Sequence, residues 1–213
     1  MDITRRGVIC DWAGVLTSPL ADSIREWLHS DRIDPDHYQA VMRPYFDGSL
    51  AHANPVHALE RGEIEACDFE RDLAPLLRRI DGHPISAEGL IHRMFSRFHP
   101  VHDMYEALRE LRHGGISTAL LSNSWGNGYP REHFDTTFDE VVISGEVGMR
   151  KPEERIYLHT CERLGLRPQD CVFIDDLERN VRTAEGLGMV GILHTDVAST
   201  QQALDRLLAA EPV

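Results

Sequence analysis

Nowhere does this sequence hold the roughly 18 consecutive apolar residues of a membrane-spanning helix, which excludes a protein embedded in the bilayer by helices. Cysteine is scarce. The four residues Cys10, Cys67, Cys161 and Cys171 show no Cys-x-x-Cys spacing, which argues against a zinc knuckle and a disulfide framework and predicts buried free thiols. Positive charge is short as well: 22 Lys and Arg face 35 Asp and Glu, a formal net charge of -13. The basic residues are dispersed, so no stripe exists to neutralise a phosphate backbone, and nucleic acid binding is disfavoured. An acidic surface of this size repels a small anion at long range, so an anion must be held by local donors and a metal. Internal repeats, low-complexity tracts and linkers are missing. None of the 12 His residues forms a helical pair around a Glu, so they read as solvated or locally bonded groups. The opening Met1-Asp2-Ile3-Thr4-Arg5-Arg6 reads against a secretory signal and predicts a cytoplasmic protein.

What is present is ordinary globular composition, 42% hydrophobic and 27% charged, in 213 residues. A globule of that size buries roughly 70% of its unfolded surface and needs no covalent staple. The strongest local signal is Val172-Phe173-Ile174-Asp175-Asp176, an apolar run that ends in two adjacent carboxylates. A second transition of this kind is Gly7-Val8-Ile9-Cys10 running into Asp11, followed by Trp12-Ala13-Gly14-Val15-Leu16-Thr17.

Between these, apolar residues recur at helical spacing over Ser23 to His29, Asp36 to Tyr45, Val56 to Arg61, Asp68 to Arg79 and Ser86 to Arg97, with almost no strand-like alternation. Asp34-Pro35 and Asn54-Pro55 mark helix starts, Asp68 is a candidate N-cap, and Ser86 followed by Gly89 marks a weaker start. The spacing predicts an all-helical insertion. From Val101 the pattern alternates: a helix to His113, a strand Ile116 to Leu121 ending at Ser122-Asn123, a strand Glu140 to Ile143, a helix Glu153 to Leu164, a strand Cys171 to Ile174, a helix Glu178 to Gly186, a strand Met189 to Leu193 and a helix Ala198 to Ala209. Strands joined by helices imply right-handed crossovers, a parallel sheet and a ligand at the carboxyl ends of the strands. The fold class is therefore α/β: a three-layer, Rossmann-like core, residues 1–17 plus 99–213, carrying a helical cap, residues 18–98. Gly186-Leu187-Gly188-Met189-Val190-Gly191 matches the dinucleotide-binding pattern, yet it leads from a helix into a strand, the reverse of the required order, and is rejected.

Asp11, Asp175 and Asp176 at strand ends converge on one crevice. Two carboxylates a few ångströms apart repel by about 4 kcal/mol at an effective dielectric near 20, so such a set calls for a cation. Magnesium takes oxygen ligands, keeps waters and bridges to phosphate, which suits carboxylates without His or Cys. Lys151 adds a fixed positive charge, and Ser122 and Asn123 add hydroxyl and amide donors. Asn180 reads as structural, reaching back to the acidic loop.

These pieces, in this order, resemble the motifs of the haloacid dehalogenase superfamily. Asp11 is similar to its nucleophile, Ser122 to its phosphate-binding Ser or Thr, Lys151 to its lysine, and Asp175-Asp176 to its acidic metal motif, so the resemblance spans nearly the whole chain. Gly62-Glu63-Ile64 through Phe69, Arg150-Lys151-Pro152-Glu153 and Ile156-Tyr157 resemble the helical-cap branch that includes the N-terminal phosphatase domain of soluble epoxide hydrolases. The resemblance implies a magnesium-dependent phosphatase of a small phosphorylated molecule. In it Asp11 attacks phosphorus to give an aspartyl-phosphate, and Mg2+ is held by Asp11, the Ala13 carbonyl and Asp176, with Asp175 direct or through water. Ser122, Asn123, Lys151 and the N–H groups of Trp12 and Ala13 hold the phosphoryl oxygens.

Ala13 departs from the pattern. Phosphatases of this superfamily usually carry a second Asp there as acid and base, help worth roughly 10²–10⁴-fold. His52, Tyr45 and His133 are candidate replacements. Dehalogenases of the superfamily also lack that Asp, so a 2-haloacid dehalogenase with Asp11 as nucleophile is a rival, although such enzymes typically place neutral residues where Asp175-Asp176 stand. A silent binding protein with the same fold is a third reading. Trp12, Trp125 and Tyr129 either stack on substrate or shield the site from water. A homodimer is compatible with the sequence.

Overall fold

The computed structural model describes residues 7–48, 50, 54–126 and 128–208. Five parallel strands form one sheet: β1 (Gly7–Cys10), β2 (Ser117–Ser122), β3 (Glu140–Ile143), β4 (Cys171–Asp175) and β5 (Val190–Leu193), in the order β3-β2-β1-β4-β5. Every residue of β1 and β4 is buried, as expected of strands covered on both faces, and this is why they read as unbroken apolar runs. The order reverses at β1, whose Val8 faces Thr118 on one side and Val172 on the other. A crevice opens at the carboxyl ends beside such a switch point, and Asp11 is the first residue past the end of β1.

Between β1 and β2 run the helices α1 (Leu20–Ser30), α2 (Pro35–Phe46), α3 (Pro55–Glu60), α4 (Ala66–Leu73) and α5 (Leu90–Phe95), the cap, followed by α6 (His102–His113). The Asp34 carboxylate accepts the N–H groups of Asp36 and His37, and Asn54 Oδ1 accepts that of Val56; in both helices a proline fills the next position, where its missing N–H costs nothing. Two expected boundaries are corrected. Asp68 is not an N-cap, because α4 starts at Ala66 behind Glu65, and the helix expected to run to Arg79 tightens at Pro75 into a 3-10 turn over Ala74–Leu76. The helix expected from Ser86 starts at Leu90, after Gly89 in the left-handed region.

The remaining crossovers use α7 (Phe134–Thr137), α8 (Ser144–Val147), α9 (Glu154–Leu164), α10 (Glu178–Gly186) and α11 (Val197–Leu208). Alternate strand residues separate the core into two faces. Ile9, Ala119, Leu121 and Phe173 pack with Ile156 and Tyr157 of α9, while Val8, Cys10, Leu120 and Ile174 join a larger cluster that continues through Leu108 of α6 into Trp27, Leu73 and Leu90 of the cap. Cys10, Cys161 and Cys171 are buried free thiols as expected; Cys67 is exposed, because it faces outward on α4. Among the described residues no helix is long and apolar enough to cross a membrane.

Candidate active site

Asp11 prolongs the β1 ladder, its N–H donating to the Ile174 carbonyl at 2.9 Å, so its side chain leaves the sheet at a fixed point. Its Oδ1 accepts the Trp12 N–H at 2.7 Å and lies 2.7 Å from Lys151 Nζ. The same ammonium lies 2.7 Å from Asp175 Oδ2. Asp175 is closed in on all sides: Leu177 N–H donates to it at 2.9 Å, and the Asn180 amide reaches both of its oxygens, at 2.9 and 3.0 Å. Asp176 is half-buried. Ligand atoms of Asp11, Asp175 and Asp176 all lie within 4.8 Å of one another.

Three carboxylates around one ammonium leave an excess of negative charge in a site with little water. Burial pushes the Asp11 carboxyl up to about 8, against the pull of Lys151 and with the repulsion of Asp175 and Asp176 added. Burial, followed by Asp175, raises Asp176 to about 6. Lys151 is only 1% exposed, and burial opposes its charge, yet Asp11 and Asp175 hold the ammonium well above its ordinary range. This donor set, hard oxygens with uncompensated charge and no His or Cys, fits a divalent cation such as Mg2+. Gly14 makes room for it. The residue has φ +80, and a Cβ there would collide with Asp176 Oδ2, so only glycine lets that carboxylate approach the turn after Asp11.

Ser122 ends β2 and is buried beside the Asp11 strand. Its hydroxyl lies 2.9 Å from the Tyr129 hydroxyl. Asn123 is corrected as a side-chain donor to an anion: its Oδ1 accepts the Lys151 N–H at 2.8 Å and its Nδ2 donates to the Lys151 carbonyl at 3.0 Å, so it clamps the backbone that carries the lysine. Of the candidate substitutes for the missing acid, His52 lies outside the described residues. Tyr45 is half-buried against the core, and its carbonyl accepts from Asn54 at 2.6 Å. The His133 ring sits against Tyr105, centroids 5.6 Å apart, at the edge of the crevice.

The sequence reading missed the joint that ties cap to site. Glu60 at the end of α3 pairs with Arg150, and Arg61 reaches Glu153 at 3.0 Å, so the cap grips the loop on both sides of Lys151. Trp125 Nε1 donates to Glu60 at 3.4 Å, and Gly62 approaches the Gly145 carbonyl so closely that a Cβ would clash. Two cavities, of about 190 and 340 Å³, open between cap and core; both are lined by Trp12, His92, Phe95, Gly128 and Tyr129. The Trp12 ring packs 5.0 Å from Tyr129, 5.8 Å from Phe98 and 5.9 Å from Phe95, roofing Asp11 with aromatic carbon.

A buried carboxylate at the end of the central strand, an acidic pair on its neighbour, a lysine between them and a helical cap above define a capped α/β hydrolase. The chain belongs to the haloacid dehalogenase-like hydrolases, whose family pattern matches residues 6–188. It is 30% identical over 116 residues to bifunctional epoxide hydrolase 2 of Rattus norvegicus, a match covering 51% of this chain and 21% of that protein, so it spans about a fifth of the length of that relative. Sesquiterpene phosphatase astK of Aspergillus oryzae is 28% identical over 165 residues, covering 76% of this chain and 83% of the relative. Among solved structures, a HAD family enzyme of Bacteroides thetaiotaomicron in a magnesium complex superimposes with a TM-score of 0.63 at 23% identity, over 89% of this chain and 92% of the other.

Proposed function

We propose that this chain is a magnesium-dependent phosphatase that transfers the phosphoryl group of a small monoester to Asp11 and then to water. The observation that carries the reading is the cluster of Asp11, Asp175 and Asp176 around Lys151. Asp11 Oδ1 is held by the Trp12 N–H and Lys151, which leaves Oδ2, bonded to neither, as the attacking oxygen. Lys151 and Ser122 hold the phosphoryl oxygens, with the backbone N–H groups of Trp12 and Ala13 beside them. Mg2+ is held by Asp11, Asp176 and the Ala13 carbonyl, while Asp175, its oxygens already engaged by Lys151, Asn180 and Leu177, orients the lysine. When bound, the cation supplies positive charge against the phosphoryl oxygens.

The aromatic lining of both cavities supports a substrate whose body is largely apolar, and the fungal relative's name, a sesquiterpene phosphatase, points the same way. Residues 18–98 are taken as the cap that selects this body. In support, Ser18 N–H donates to the His99 carbonyl at 2.7 Å, and Thr17 bridges Pro100, so the two crossings lie side by side as a hinge requires. Ala13 favours a second reading, the dehalogenase, since that chemistry needs no second Asp; the carboxylate cluster weighs against it, because a halide-displacing carboxylate gains nothing from neighbouring negative charge. The test is release of phosphate from a panel of monoesters and of halide from 2-haloacids, each with and without chelator. Chelator-sensitive phosphate release is expected; halide release indifferent to chelator reverses the assignment, and neither product leaves a binding protein.

A further inference from the structure

With alanine at position 13, a monoester of an ordinary alcohol still needs a proton at the oxygen that departs. The place of that oxygen follows from the site. The phosphoryl group belongs beside Asp11, Ser122 and Lys151, and the apolar body belongs in the cavities, so the breaking bond crosses the boundary between them. Tyr129 stands on this boundary. Its hydroxyl lies 2.9 Å from Ser122 Oγ and 3.4 Å from the Asn123 carbonyl, while its ring lines both cavities. The oxygen that leaves is bonded to the same phosphorus as the oxygen held by Ser122, which brings it within reach of a hydroxyl already touching Ser122. His92 also lines both cavities but is exposed, and His133 lines the larger one with its ring turned against Tyr105. Among the described residues, Tyr129 alone lines both cavities and has a side-chain hydrogen bond to a member of the anion site.

We propose that Tyr129 is the general acid of this enzyme, a role that rests on the phosphatase reading above. As Asp11 Oδ2 bonds to phosphorus, the bond from phosphorus to the ester oxygen breaks. The electron pair stays on that oxygen, which takes the Tyr129 proton and departs as the alcohol. Water then attacks the phosphorus of the aspartyl-phosphate, its proton returns to the Tyr129 phenolate, and the bond to Asp11 breaks to give phosphate and a free carboxylate. Burial holds the phenol above its ordinary range, opposed by the Ser122 hydrogen bond, so it is protonated at neutral pH and yet a stronger acid than an alkanol. Lys151 nearby favours the transient phenolate.

The experiment compares kcat/KM, which reports the step that expels the leaving group, for 4-nitrophenyl phosphate and a primary alkyl phosphate in the presence of Mg2+. A nitrophenolate leaves without a proton; an alkoxide does not. General acid catalysis is worth roughly 10²–10⁴-fold. Tyr129→Phe, which keeps the ring against Trp12, is expected to lose about 100-fold or more on the alkyl ester and at least about tenfold less than that on the aryl ester. Ala13→Asp in the Tyr129→Phe background is expected to recover the alkyl ester selectively. Equal losses on both esters, or no loss on either, overturn the proposal. Wild-type protein gives a reading independent of any variant's folding: its kcat/KM falls only shallowly as leaving-group pKa rises, and a steep fall overturns the proposal too. If the wild type cleaves neither ester, it is the phosphatase reading that fails.

Discussion

Replacing Glu60 by alanine leaves the Arg150 guanidinium buried without its carboxylate, and the cost can be worked from the structure. Both residues are 7% exposed, and Trp125 Nε1 loses its acceptor as well. Removing one partner of a buried ion pair costs roughly 3–5 kcal/mol, because the remaining charge cannot be solvated. For a chain of this size each kcal/mol moves Tm by roughly 2–4 °C, so the variant should melt some 6–20 °C lower. Replacing both partners, Glu60→Met with Arg150→Met, removes the unpaired charge along with the pair and should recover most of the loss, since apolar substitutes for a buried pair are close to neutral. Urea denaturation followed by far-UV circular dichroism measures all three proteins. A loss below about 1 kcal/mol in Glu60→Ala, or a double variant no better than the single one, refutes the claim that this pair ties cap to core.

Gly14→Ala puts a methyl group where Asp176 Oδ2 sits and demands a left-handed backbone; Mg2+ affinity, measured by titration calorimetry, should fall at least about tenfold, as for loss of groups that orient metal ligands. Unchanged affinity would remove Asp176 from the metal site. The pH dependence has a definite sign: Asp11 and Asp176, raised to about 8 and about 6, hold protons more tightly folded than unfolded. The stability these protons confer is complete below the ordinary carboxylate range and is lost as pH climbs through about 6 and then about 8. Because Mg2+ takes the ionised carboxylates, its increment to Tm should grow from pH 5 to pH 9; an increment that shrinks over that interval contradicts the charge assignment.

The strand-end carboxylates were legible in the sequence because a buried parallel strand is a short apolar run, and Asp11 and Asp175 interrupt two of them abruptly. Helix starts at Pro35 and Pro55 were legible because Asp34 and Asn54 cap them locally. Asn180 also read correctly, as its partner Asp175 is five residues away. The Glu60–Arg150 joint was not, since its partners are 90 residues apart and nothing in either neighbourhood marks them as a pair. Asn123 was misjudged for a similar reason: its amide fits an anion as well as a backbone, and only the fold brings Lys151 to it. Tyr129 lies in a loop, where no periodicity says which way a ring points.

The central claim is that Asp11 becomes phosphorylated. Protein mixed with Mg2+ and 4-nitrophenyl phosphate, quenched in acid within one turnover and digested, should yield a phosphoryl group on the peptide carrying Asp11, while Asp11→Asn yields none and shows no turnover. Chelator-sensitive turnover surviving in Asp11→Asn, or the phosphoryl group on any other residue, would contradict it.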